Sequence, residues 1–180
     1  QDEIDKLLTE LKKQDIYVYR LAVVGLYTGM RRGEVLSLKL SNIDWANKCI
    51  NLSKDDTKHG IARSIPMHAR VSDIISETSN ENKLRNGDLV FARNKVKLNK
   101  IPESFKKAVD KLQLNENVPA NQKVTYHTLR HTFASYLAMH GTPIVTLQNL
   151  LGHTVLSTTM RYAHLIPDKS SQYINNLDFS

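Results

Sequence analysis

Between Thr125 and Tyr162 the chain sets out, in order, the imidazole of His127, the guanidinium of Arg130, the imidazole of His153 and the phenol of Tyr162. His127 and Arg130 stand three residues apart, which puts them on one side of a helix turn. His153 follows a Leu-Gly pair, and Tyr162 comes nine residues later. These groups suit chemistry on a phosphodiester. Arg grips phosphate oxygens bidentately, His moves protons near neutral pH, and Tyr can attack as a covalent nucleophile. No carboxylate pair and no Cys/His metal spacing competes for the stretch.

Further upstream, TGMRRGEVLSL puts Arg31 just after Gly29-Met30, at a helix start. There an Arg can join the free amides of the helix in holding an anion. A charged turn, TKHG, carries Lys58 ahead of the apolar run ARSIPM. The remaining histidines, His59, His68, His131, His140 and His164, match no ligand spacing. His131 reads as a packing or structural hydrogen-bonding residue. Tyr17, Tyr19, Tyr27, Tyr126, Tyr136 and Tyr173 read as core or helix-face residues.

The elements that must carry these groups follow from periodicity. Residues 2–13 form an amphipathic helix with Ile4, Leu7, Leu8 and Leu11 on one face. A more apolar helix over 16–28 ends at Gly29, and another starts near Arg32 with Val35, Leu36 and Leu38 inward. Residues 41–48 read as a polar turn. CINLS and ARSIPM make a hairpin across the charged KDDTKHGI connection. Helices follow over 71–79, from Pro102, from about His127 to His140, and from Pro143 to near Gly152. Ser157 is placed to cap a short helix bearing Tyr162, and Asp168 to cap a last helix with Tyr173, Ile174 and Leu177. The expected class is mainly α with a small antiparallel β-sheet.

With 180 residues the chain fits one domain with a sizeable core. Its 25 Lys and Arg against 18 Asp and Glu, net +7, favour a polyanionic partner. Part of the run Lys95, Lys97, Lys100, Lys106, Lys107 and Lys111 is expected on phosphates. Cys49 stands alone, so no internal disulfide forms, and its CINL context suggests a buried thiol. No apolar run nears the ~20 residues of a membrane span. The chain opens on Gln1 in a polar, helix-like segment, which suggests a piece of a longer protein.

Taken together, TGMRRGE, TKHG, HTLRH, LGH and the following Tyr162 resemble the catalytic domain of the tyrosine recombinases, the phage-integrase family. The last third looks especially like Xer-type and transposon or integrative-element members. The resemblance runs from about residue 15 to residue 165 and implies roles for particular residues. Arg31 and Arg130 match the two active-site arginines, Lys58 the mobile lysine, and His127 the first residue of the H-x-x-R motif. His153 matches a position that is Trp in some relatives, Tyr162 the nucleophile, and Glu34 an acidic residue supporting the first arginine. Lys54 is the alternative to Lys58.

The resemblance implies site-specific recombination of double-stranded DNA through a 3′-phosphotyrosyl link, without metal, ATP or other cofactor. In that scheme His127 takes the Tyr162 proton and Lys58 protonates the leaving 5′ oxygen. It also implies dimers or tetramers on DNA, with residues 163–180 as a tail that couples subunits, and a bacterial or phage-encoded protein acting in the cytoplasm. The family's N-terminal core-binding domain is expected to be missing from these residues. A type IB topoisomerase and a catalytically silent DNA-binding regulator are the competing readings.

Overall fold

The computed structural model describes residues 2–57, 60–93, 96–168 and 170–178. Helix α1 (Asp2–Gln14) buries Leu7, Leu8 and Leu11, with Ile4 packed at the edge. Acidic residues fill its first turn and Lys12 and Lys13 its last, each sign at the dipole end that favours it. Asp15 then caps α2 (Ile16–Thr28) by accepting the amides of Tyr17 and Val18. Helix α2 is apolar almost all round and runs through the core, so most of its residues are buried. It stops at Gly29, whose φ of 63° is the left-handed conformation that closes a helix. A Cβ there would fall 2.4 Å from the Phe133 ring, so glycine is required twice over.

Helix α3 (Arg32–Leu36) is short and buries Val35 and Leu36; Leu38 is also buried but lies beyond the helix. Strands β1 (Ile43–Asp44), β2 (Cys49–Leu52) and β3 (Arg63–Pro66) form an antiparallel sheet in that order. Ile50 sits opposite both Ile43 and Ile65, so the register puts one apolar row on the core. The polar turn expected over 41–48 is therefore narrower, because Ile43 and Asp44 pair with Ile50 and Cys49. Cys49 is half-buried rather than buried, and its thiol lies 3.6 Å from the Asn51 side-chain oxygen.

Helix α4 (Ala69–Asn82) packs on α2 and buries Val71, Ile74 and Ile75. A second sheet pairs β4 (Ala92–Arg93) with β5 (Val96–Lys97), two residues each. Helix α5 (Ser104–Lys111) begins two residues after Pro102 and turns in Phe105, Ala108 and Val109. Helices α6 (Tyr126–Met139), α7 (Ile144–Leu151), α8 (Leu156–Met160) and α9 (Ser170–Asn175) complete the chain. Among the described residues the fold is mainly helical with small antiparallel sheets, as the periodicity predicts.

The buried residues form two clusters. The larger joins α1, α2, the three-stranded sheet, α4 and α5, and takes in Tyr126 and Leu129 of α6. The smaller holds Ala134, Ala138, Leu147, Leu151 and Tyr162. Tyr126 ties α6 to α2 by donating its hydroxyl to the Leu21 carbonyl at 2.6 Å. That bond anchors the start of α6 in the larger cluster, and Ala134 and Ala138 carry the helix into the smaller one. No helix among the described residues is long and apolar enough to cross a membrane.

Candidate active site

A helix ends with carbonyls that have no partner within the helix. At the end of α7, three consecutive carbonyls meet three different arginines. The Leu150 oxygen accepts Arg63 Nε at 3.0 Å, Leu151 accepts Arg130 Nη2 at 2.6 Å, and Gly152 accepts Arg31 Nη2 at 3.0 Å. The negative end of the helix dipole favours all three cations. Gly152 makes the arrangement possible. Its φ is 63°, and a Cβ would lie 2.8 Å from Arg63 Nη1. The Leu-Gly-His segment thus gathers residues from α6, β3 and the start of α3 onto one helix end.

Arg130 is buried at 4% exposure, and its second hand, Nη1, donates to the Gly29 carbonyl at 2.6 Å. It therefore spans the ends of α2 and α7. Burial first, then the Arg31 charge, lower its pKa to about 10, so it remains a cation at neutral pH. Arg31 is more open, with 21% of its side chain exposed. The amide of Arg31 donates to Glu34 at 2.7 Å, so that amide is already taken. What fixes Arg31 is the Glu34 carboxylate at 3.2 Å and the Gly152 carbonyl.

Glu34 is held in turn by Arg63, a residue the sequence did not single out. Arg63 Nη1 and Nη2 reach the two Glu34 oxygens at 3.1 and 2.7 Å. Both side chains are almost wholly buried, at 5% and 3% exposure. Burial pushes the Glu34 pKa up, but the Arg63 bonds and charge, with those of Arg31, hold its carboxyl below the usual value. An Arg in an alternating strand reads as a solvent-facing residue, and only the tertiary approach of Glu34 shows otherwise.

His153 is half-buried, with Nδ1 at 2.9 Å from the Thr159 hydroxyl. Burial, then Arg130, Arg31 and other nearby cations, push its pKa down to about 4, so the ring is neutral at pH 7. A neutral imidazole donates from Nε2 only when Nδ1 accepts, and the buried Thr159 hydroxyl can supply that proton. Thr159 lies on α8, whose first residue is Leu156. Ser157 is therefore inside the helix rather than its cap, and Val155 takes the cap position. Tyr162 sits just past α8, in the turn before a 3-10 segment, not on a helix.

Tyr162 is buried at 5% exposure against Ala134, Ala138, Leu147 and Leu151. Burial raises its pKa, while Arg161 and Arg130 pull it down. The sequence makes His127 its base, but the contact with the phenol belongs to His131, Nδ1 to Oη at 2.6 Å. His127 instead packs edge-on against the His131 ring at 4.7 Å between centroids. It is exposed and lines an open cleft of about 920 Å³ with Arg31, Arg32, Lys100, Lys106 and Lys123. Lys123 was not anticipated, and nothing in its local sequence marks it.

Lys58 lies outside the described residues, as does Lys95; Lys54 is exposed in the preceding turn. Within the lysine run, Lys106 pairs with Asp110 and Lys111 with Glu10. Lys97, Lys100 and Lys107 are exposed.

The "Phage integrase family" model matches residues 1–168. The integrase of Escherichia phage P2 is 30% identical over 168 residues, covering 93% of this chain and 43% of that protein. Tyrosine recombinase XerA of Pyrococcus furiosus is 32% identical over 170 residues, covering 92% and 56%. Among solved structures, the catalytic domain of bacteriophage HP1 integrase superposes with a TM-score of 0.73 at 28% identity, covering 98% of this chain and 92% of that one. The chain spans about half the length of the curated relatives it matches.

Proposed function

The chain belongs to the phage integrase family, and from that premise we propose that it is the catalytic part of a site-specific DNA recombinase. The observation that carries this reading is the gathering of Arg31, Arg130 and His153 at one helix end, with Tyr162 buried beside them in the same chain. Arg31 and Arg130 clamp the non-bridging oxygens of the scissile phosphate as negative charge grows there. His153 adds a donor from Nε2, and His127 faces the same phosphate from the cleft wall. Tyr162 Oη attacks phosphorus, and Lys58 protonates the departing 5′ oxygen. The product is a 3′-phosphotyrosyl link with a free 5′ hydroxyl. That link keeps the bond energy, so a second 5′ hydroxyl can rejoin the strand without ATP. Two fixed guanidinium groups provide the charge a metal would otherwise supply.

The substrate on this reading is double-stranded DNA, supported by the net charge of +7 and the lysines lining the cleft. The near-complete overlap with the HP1 catalytic domain supports residues 1–180 as a catalytic unit; on the same reading residues 163–180 are a tail that engages neighbouring copies. The P2 and XerA relatives are named integrase and tyrosine recombinase. A nicked suicide duplex, built from the junction sequences of the DNA element carrying the gene, tests the proposal. The wild-type chain should trap a covalent adduct that Tyr162→Phe abolishes while its melting temperature and DNA affinity persist. An adduct of normal yield in that variant would put the nucleophile elsewhere. A wild-type chain that binds the duplex and never forms adduct would be a DNA-binding regulator.

A further inference from the structure

We propose that His131 takes the proton from Tyr162 as the phenol attacks, and returns it when the strand is rejoined. This rests on the recombinase reading and assigns one of its steps. His131 Nδ1 lies 2.6 Å from Tyr162 Oη, and among the described residues no other side chain is hydrogen-bonded to that hydroxyl. The phenol is sunk between α6 and α7, so water cannot readily replace the imidazole as acceptor. His127, one helix turn earlier, meets the edge of the His131 ring, not the phenol. Successive residues on α6 divide the work. Arg130 points to the ends of α2 and α7, and His131, rotated by ~100° along the helix, points to Tyr162.

The proton balance is simple. The Oη–H bond breaks and Nδ1 of His131 becomes protonated. The Oη–P bond forms, the P–O5′ bond breaks, and the 5′ oxygen takes its proton from the separate acid. Rejoining reverses each step. For Nδ1 to accept, the ring must carry its hydrogen on Nε2. The titratable and charged groups around His131 are Tyr162, His127, Arg161 and Arg130. Burial first, then His127, Arg161 and Arg130, lower the His131 pKa, so the ring is neutral at pH 7 and one of its nitrogens can accept.

Two measurements test this. Nitrogen-15 spectra of histidine-labelled protein should show His131 protonated at Nε2, with Nδ1 unprotonated and shifted by Tyr162→Phe. A ring protonated at Nδ1, donating to the phenol, would overturn the proposal without any DNA present. The second measurement is single-turnover adduct formation on the nicked suicide duplex at saturating protein, across pH. His131→Gln keeps an acceptor of similar reach but cannot hold a proton. It should fold with a near wild-type melting temperature, react ~100-fold more slowly, and lose the acid limb of the rate profile. Difluorotyrosine at position 162, a more acidic phenol, should restore much of the rate in His131→Gln and little in wild type. A purely structural role would not respond to phenol acidity. A His131→Gln rate equal to wild type, or a defect that ignores phenol acidity, overturns the proposal. So does selective rescue of His127→Gln in its place. If the wild-type chain traps no adduct at all, the recombinase reading itself has failed.

Discussion

Arg130 and Arg31 stand near the same helix end, yet they are held differently, and the difference is measurable. Arg130 is buried and satisfies two carbonyls at 2.6 Å from separate nitrogens. A lysine in its place has one head and must abandon one carbonyl, which costs ~1–3 kcal/mol for a buried group left unsatisfied. Arg130→Lys should therefore lower both the melting temperature and cleavage. Arg31, at 21% exposure, gives up a Glu34 contact and the Gly152 carbonyl at the edge of solvent. Arg31→Lys should cut cleavage by ~100-fold, the cost of losing one fixed oxyanion donor, with a smaller thermal shift. Thermal melts beside adduct yields check both. Equal melting losses in the two variants would remove the distinction drawn from burial.

Thr159 offers a finer test at the same scale. If its hydroxyl sets the His153 ring so that Nε2 carries the hydrogen, Thr159→Val should slow cleavage several-fold, while Thr159→Ser stays near wild type. The ~0.5–1.5 kcal/mol of one ordinary hydrogen bond sets that size. A valine variant that cleaves normally would show that His153 needs no such partner. Arg31, Glu34, Arg130, His153 and Tyr162 were all legible because each sits in a short motif of distinctive residue types. Arg63, Thr159 and the His131 contact were not. Their significance arises from pairings 29, 6 and 31 residues apart in sequence, which no local pattern encodes.

Among the elements, the long helices were readable and the shortest strands were not. Helices α1, α2, α4, α6 and α7 carry enough turns for an apolar face to repeat, and Gly29 and Gly152 mark two of their ends. Strands β1, β4 and β5 have two residues each, too few for alternation to register. Strand β3 was visible as a strand, but its role as a brace for α3 and α7 was not. Through Arg63 it grips Glu34 and the Leu150 carbonyl, so a buried ion pair joins the Arg31–Gly152 bond in holding α7 to α3.

That pair predicts a pH dependence. The Glu34 carboxyl is held below its ordinary value of 4.5 in the fold. A depressed carboxylate stabilises the folded state above its unfolded pKa, and the gain is lost as pH falls through the folded pKa. Wild type should melt above Glu34→Gln at neutral pH, and the gap should close as the pH drops below ~4.5. A gap that stays constant from neutral to strongly acid pH would mean that the glutamate charge adds nothing to the fold.

At the scale of the whole molecule, the tail divides into two parts with different surroundings. Leu165 and Ile166 pack on the small cluster around Tyr162 and so belong to the core of their own chain. Beyond Pro167 the chain turns into α9, where Ile174 is 66% exposed, and Leu177 just past it is 58% exposed. These two large aliphatic side chains are not packed into the core of their own chain. The first part of the tail therefore completes its own core, and the reach to a neighbour is a proposal for the part beyond it. Leu165 and Ile166 are held in cis, and we propose that the stretch from about Pro167 onward is what meets a second copy. On the recombinase reading this has a mechanical consequence. The 3-10 segment Ala163–Leu165 begins directly after the nucleophile, and the Leu165 amide donates back to the Tyr162 carbonyl at 3.0 Å. Tension on the tail from a neighbour would pass through that turn to Tyr162 and its bond to His131. Removing residues from about Pro167 onward should leave the monomer folded, with a melting temperature within a degree or two of the full chain. Assembly on two-site DNA, read by native gel or light scattering, should weaken, and single-site adduct should form with less dependence on a second bound copy. A truncated chain that loses several degrees as a monomer would make the distal tail part of its own fold and end the coupling idea.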